Sequence, residues 1–161
     1  VENRGVAPAL LESASDSAHR VAWLAERIRD IERFLQQLPS VAVFVNTEAE
    51  VDPLAQALEA ALADHNIPVM ACRDGQAVGQ ESCVRVFDIQ HIKGLEFEAV
   101  FFIAIDRLAV LHPELFDKYL YVGTTRAATY LGVTCESTLP PAIEALRPLF
   151  GQHWQTPGAD E

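Results

Sequence analysis

Apolar residues first recur in a regular pattern at Val21, Leu24, Ile28, Ile31, Leu35 and Leu38, at alternating steps of three and four. That period predicts one face of a helix, with Arg20, Glu26, Arg27, Asp30 and Arg33 mostly on the other side. Ser15 or Asp16 stands where a cap is needed, and Pro39 ends the segment. The stripe is shorter than a coiled-coil seam needs, so packing onto a sheet is the better use. From Val41 the rhythm changes. Short apolar runs predict strands at 41–45, 67–72, 84–89, 99–105 and 130–135. Helical patterns lie between them: an alanine- and leucine-rich one over 48–65, one from Pro113 to about Ala128, and a last one over Pro141–Phe150. Arg73–Glu81, with Gly75 and Gly79, reads as a loop.

Strands that are continuously apolar and alternate with helices predict an α/β fold, a parallel sheet covered by helices on both faces. Functional loops in such a fold sit at the carboxyl ends of the strands. Here they would follow Val45, Ile89 and Ile105. Residues 1–15 read as a loose lead-in, 16–150 as one domain and 151–161 as a flexible tail. No internal repeat or low-complexity tract interrupts the chain.

Composition narrows the classes. The 161 residues suit one compact domain, and 50% hydrophobic with 22% charged residues is ordinary for a globular protein. The longest apolar stretch, Ala99–Ile105, is far too short to span a bilayer, so no membrane partner is expected. Val1-Glu2-Asn3-Arg4 does not open a secretory signal. Cys72, Cys83 and Cys135 are odd in number, lack CxxC spacing and fall beside hydrophobic runs, which predicts buried free thiols and a cytoplasmic setting. The five histidines show no ligand-like spacing, so no metal is expected. A net charge of −11 argues against a free-standing nucleic-acid binder, though it leaves room for a local DNA contact within a larger protein.

Two segments carry candidate chemistry. Gln90-His91-Ile92-Lys93-Gly94-Leu95-Glu96-Phe97 directly follows the third strand. Its glycine would let the backbone approach a ligand, although a plain turn with solvated charges satisfies the same residues. Further on, Leu115, Tyr119, Val122 and Arg126 share a predicted helix face. An arginine at the end of an apolar face needs a partner: a carboxylate of its own domain, or the phosphate of a nucleotide held by another domain.

Lys93-Gly94-Leu95-Glu96-Phe97, followed by an apolar strand, resembles motif V of UvrD/Rep-type superfamily 1 DNA helicases. Leu120-Tyr121-Val122-Gly123-Thr124-Thr125-Arg126-Ala127 resembles their motif VI. The two occur in the family's order, with a strand between them and another after. Ala42–Pro68 has the layout of the motif IV region, and the resemblance runs over about Val41–Cys135. It implies the C-terminal, second RecA-like domain: a RecA-like (P-loop NTPase-type) sheet without the P-loop itself. No G-x-x-x-x-G-K-[ST] and no Asp-Glu pair after a strand occurs in the sequence.

The resemblance further implies that ATP, with Mg2+, is held by an N-terminal RecA-like domain, and that single-stranded DNA is the track. Arg126 matches the catalytic arginine that reaches the γ-phosphate. Glu96 matches the glutamate on the nucleotide ribose, and Gly94 the glycine beside it. Gln90, His91 and Lys93 fall in the stretch that faces DNA, while Tyr121 and Thr125 would support the motif VI helix. Three positions depart from the family pattern: Asp88 and Gln90 replace the Thr and His of Thr-x-His, and Asn46 replaces an arginine that touches phosphate. Only about 40 residues separate Asn46 from Asp88, so the large insertion of UvrD is absent and a compact relative is expected. Half of an ATP-driven motor, inactive alone, is thus the leading expectation. A non-catalytic RecA-like protein-interaction module is the alternative.

Overall fold

A computed structural model describes residues 9–12, 16–75, 83–91, 97–116, 130–145 and 148. Its centre is a six-stranded sheet made of β1 (Ala9–Leu11), β2 (Val41–Val45), β3 (Val69–Ala71), β4 (Val84–Asp88), β5 (Ala99–Phe102) and β6 (Tyr130–Thr134). The strand order is β1-β6-β5-β2-β4-β3, and every adjacent pair is parallel. The chain runs from β2 toward the β4/β3 edge, then crosses back past β2 to reach β5.

The helices are α1 (Ser17–Leu35), α2 (Val51–Leu62), α3 (Ile105–Leu111), α4 (Pro113–Leu115) and α5 (Pro141–Glu144). Asp16 caps α1 by accepting the Ala18 N–H at 3.0 Å. Val21, Leu24, Ile28 and Ile31 are buried as the stripe requires, but Leu35 is 42% exposed because the chain turns left-handed at Gln36 and leaves the sheet. Arg27, expected on the polar side, is buried, with its guanidinium over Trp23 and ion-paired to Asp30 at 3.0 Å.

Strand β2 shows how two cores arise from one run of apolar residues. Val41, Val43 and Val45 face α1 and α2, joining Leu24, Ile28, Leu54, Leu58 and Leu62. Ala42 and Phe44 face the opposite layer, with Ile105, Leu108, Leu139 and Ile143. On that side Phe44 stacks between Phe87 at 5.7 Å and Phe102 at 5.8 Å, so the three central strands share one aromatic row.

Two expectations need correction, and a third lies mostly outside the described residues. Ala9–Leu11, read as part of a loose lead-in, is a buried edge strand paired to β6; three residues are too short to announce themselves by period. The strand expected over 99–105 ends at Phe102, and Ile105 instead opens α3. Ala104 between them is left-handed (φ 55°, ψ 65°), which no strand continues. The helix expected from Pro113 begins there and is described to Phe116, and the rest of that segment lies outside the described residues. All three cysteines are buried and none is in a disulfide, and burial, with Asp106 nearby, pushes the Cys135 thiol up to about 11.

Gly132 of β6 sits under the Phe101 ring, where a Cβ would lie 2.3 Å from the ring's Cδ1. The ring is boxed in by Trp23, edge-on at 6.4 Å. Gly132→Ala is therefore expected to destabilise the domain by about 1–3 kcal/mol through overpacking. Urea unfolding checks this; an unchanged midpoint would contradict it.

Candidate functional site

The carboxyl ends of β2, β4 and β5 meet at one edge, where this topology gathers ligand-facing loops. Asn46, the first residue past β2, is 2% exposed and does not reach outward. Its side-chain amide donates to the carbonyls of Ile103 at 3.1 Å and Ala104 at 3.3 Å, at the end of β5. The Ala104 N–H donates in turn to Thr134 Oγ1 at 2.8 Å, at the end of β6. One short chain of bonds thus ties three strand ends and satisfies the left-handed Ala104. Asn46, expected from the resemblance to stand in place of a phosphate-touching arginine, serves as an internal strut.

Cationic charge stands next to it instead. Arg107, in α3, donates to Glu50 Oε2 at 2.6 Å and lies 3.9 Å from Glu136, which also pairs with Arg20 at 3.3 Å. Glu50 closes the turn after β2, its Oε1 accepting the N–H groups of Asn46 at 3.2 Å and Thr47 at 3.1 Å. Burial works against the Glu50 carboxylate, but the Arg107 guanidinium and those N–H groups outweigh it and hold its pKa below the ordinary value. Asp106 behaves alike: burial opposes its charge, yet the N–H groups of Glu136 and Ser137 and the Ser137 hydroxyl keep it low. The Thr47-x-x-Glu50 spacing could have announced the turn as a capping box. Nothing in sequence pointed to Arg107.

Of the residues expected to act, Gln90 and His91 lie at this edge, in the short turn after β4. The Gln90 N–H caps the Asp88 carboxylate at 3.0 Å, and Asp88 is buried at this edge. His91 approaches Glu48 at 3.7 Å. Lys93, Gly94, Glu96, Tyr121, Thr125 and Arg126 lie outside the described residues. The segment holding the first three is bounded by β4 and by Phe97, whose ring packs on Phe87 at 5.8 Å. An open cleft of about 500 Å³ lies alongside, lined by Gln90, Leu111, His112, Pro113 and Glu114, and His112 Nε2 is 3.0 Å from the Asn46 carbonyl. No helix of the described residues is long and apolar enough to cross a membrane.

The depressed carboxylates make a pH prediction. A folded-state pKa below the unfolded value stabilises the fold above the unfolded value and loses that effect as pH falls through the folded one. The ordinary values are 4.5 for Glu50 and 3.8 for Asp106, so wild-type stability is expected to drop as pH falls below them. Glu50→Gln should lower stability at neutral pH and make the acid decline shallower. Urea unfolding at neutral and acidic pH would contradict this by giving parallel curves.

Residues 83–134 match the family model described as the UvrD-like helicase C-terminal domain. No curated protein matches the chain. Among solved structures, the C-terminal domain of a possible DNA helicase from Lactobacillus plantarum WCFS1 is similar over 91% of this chain and 85% of that one, with a TM-score of 0.64 and 21% identity. At that identity the likeness speaks for the fold. Residues 83–134 are thus similar to the UvrD-like helicase C-terminal domain, and the six-stranded parallel α/β sheet resembles the fold of the solved helicase C-terminal domain.

Proposed function

We propose that this chain is the C-terminal half of an ATP-dependent DNA helicase or translocase, completing an ATP site whose phosphate loop lies on an N-terminal RecA-like partner domain. The observation that carries this reading is the family match over residues 83–134, a span that contains both Lys93–Phe97 and Leu120–Ala127. The sheet supports it. Along the chain one segment lies between β4 and β5 and the other between β5 and β6, and β4 and β6 stand three positions apart in the sheet.

In this reading ATP, with Mg2+ bound by the partner domain, sits in the cleft between the two halves. Arg126 extends its fork of donors to the γ-phosphate and stabilises the charge that develops on hydrolysis. Glu96 accepts from the ribose hydroxyls, and Gly94 lets the backbone come close. Gln90, His91 and Lys93 lie toward single-stranded DNA. Opening and closing of the cleft moves the strand past the two domains. The alternative, a non-catalytic RecA-like interaction module, is favoured by one observation: Asn46 is spent on the carbonyls of Ile103 and Ala104, so it brings no cation to phosphate.

Arg126→Ala in the full-length protein is expected to cut ATP turnover by about 10³-fold or more while leaving ATP binding nearly intact. Glu96→Ala should instead raise the nucleotide Kd with a smaller effect on turnover. The present chain alone, which has no phosphate loop, serves as the control without turnover. Steady-state ATPase rates and nucleotide titrations on both variants check the pair. Wild-type turnover in Arg126→Ala would sink the arginine's role and favour the interaction module.

A further inference from the structure

Glu48, Asp88 and His91 come from two different strand ends and meet at the carboxyl edge: one ligand atom from each lies within 4.8 Å of the others. Glu48 opens the turn after β2, Asp88 ends β4, and His91 closes the turn that follows.

Asp88 is 3% exposed, and a carboxylate so buried needs compensation for its charge. Its Oδ1 takes the Gln90 N–H at 3.0 Å, but Oδ2 has only the Gln90 side-chain amide at 3.5 Å. Among the described residues no arginine or lysine pairs with it. Glu48 is likewise held from one side. The Asp74 N–H donates to its Oε2 at 2.9 Å, leaving Oε1 turned toward His91 Nε2. Each carboxylate is thus anchored by a backbone N–H through one oxygen, and a carboxylate oxygen of each lies within 4.8 Å of the other two ligand atoms. Such outer contacts fix ligand orientation in metal sites.

We propose that Glu48, Asp88 and His91 bind a divalent first-row transition-metal ion. Two carboxylate oxygens and one imidazole nitrogen suit Mn2+, Co2+ or Zn2+, whereas the nitrogen donor disfavours Mg2+ and Ca2+. Metal–ligand bonds of about 2.0–2.2 Å require the three atoms to draw closer. The half-exposed Glu48 and His91 side chains have the freedom to do so. The ion supplies the charge that the buried Asp88 lacks. Three protein ligands leave coordination positions for water or an anionic oxygen. His91 is shared with the stretch placed toward DNA in the proposed function, but a metal titration of this chain needs neither ATP nor DNA, so its outcome is separate from that reading.

The test is titration of the chain with Co2+, followed by equilibrium dialysis and by visible absorption. One Co2+ per chain is expected, with a spectrum free of thiolate charge-transfer, which separates this site from Cys72, Cys83 and Cys135. His91→Ala and Asp88→Asn should each weaken binding by about tenfold or more. His91 sits in a partly exposed turn, so its variant keeps the fold, and far-ultraviolet circular dichroism verifies this for both. No bound Co2+, a thiolate band, or wild-type affinity in the folded His91→Ala chain would overturn the proposal.

Discussion

A parallel strand that stops at the edge of its sheet leaves carbonyl groups facing no neighbour, and the side-chain amide of Asn46 meets two of them at the end of β5. The rest of the carboxyl edge is arranged around that contact. Ala104 can be left-handed because its carbonyl is taken by Asn46 and its N–H by Thr134. The turn at Ala104 sends α3 back across the sheet, which brings Arg107 to Glu50 and Asp106 to the N–H groups beyond β6. An unmet carbonyl or N–H in this buried corner would cost about 1–3 kcal/mol. A small polar side chain is therefore fixed here by packing and hydrogen bonding.

That contact shapes how the edge can meet phosphate. With Asn46 turned inward, and Arg107 engaged by Glu50 and Glu136, the described residues offer little free cationic charge beside β2. In the proposed function a shared ATP site would rest on Arg126, and among the described residues Glu48 and Asp88 bring two carboxylates together where β2 and β4 end. The net charge of −11 has the same sense. In the proposed function, the positive field of a nucleotide cleft would have to come largely from a partner surface.

Much of the architecture was legible because period and composition agree. The stripe from Val21 to Ile31, the run Val41–Val45 and the alanine-rich helix α2 sit where their patterns put them. The failures have physical causes. Strand β1 is too short to carry a period. The end of β5 is decided by side chains 57 or 58 positions away in Asn46 and 30 positions away in Thr134, which no local pattern reports. Leu35 keeps the helical period yet lies beyond the sheet. At the site, the residues read from motif resemblance lie largely outside the described residues. Those the structure does bring together, Glu48 with Asp88 and His91, and Glu50 with Arg107, come from distant stretches whose spacing carries no signature.

The most direct test of the central claim is the ATP turnover of the full-length protein, phosphate-loop domain included, with and without single-stranded DNA. Half of a DNA motor predicts turnover that rises many-fold when DNA is added. Turnover indifferent to DNA, or none at all from a protein with an intact phosphate loop, would contradict the account and leave the sheet as a binding module.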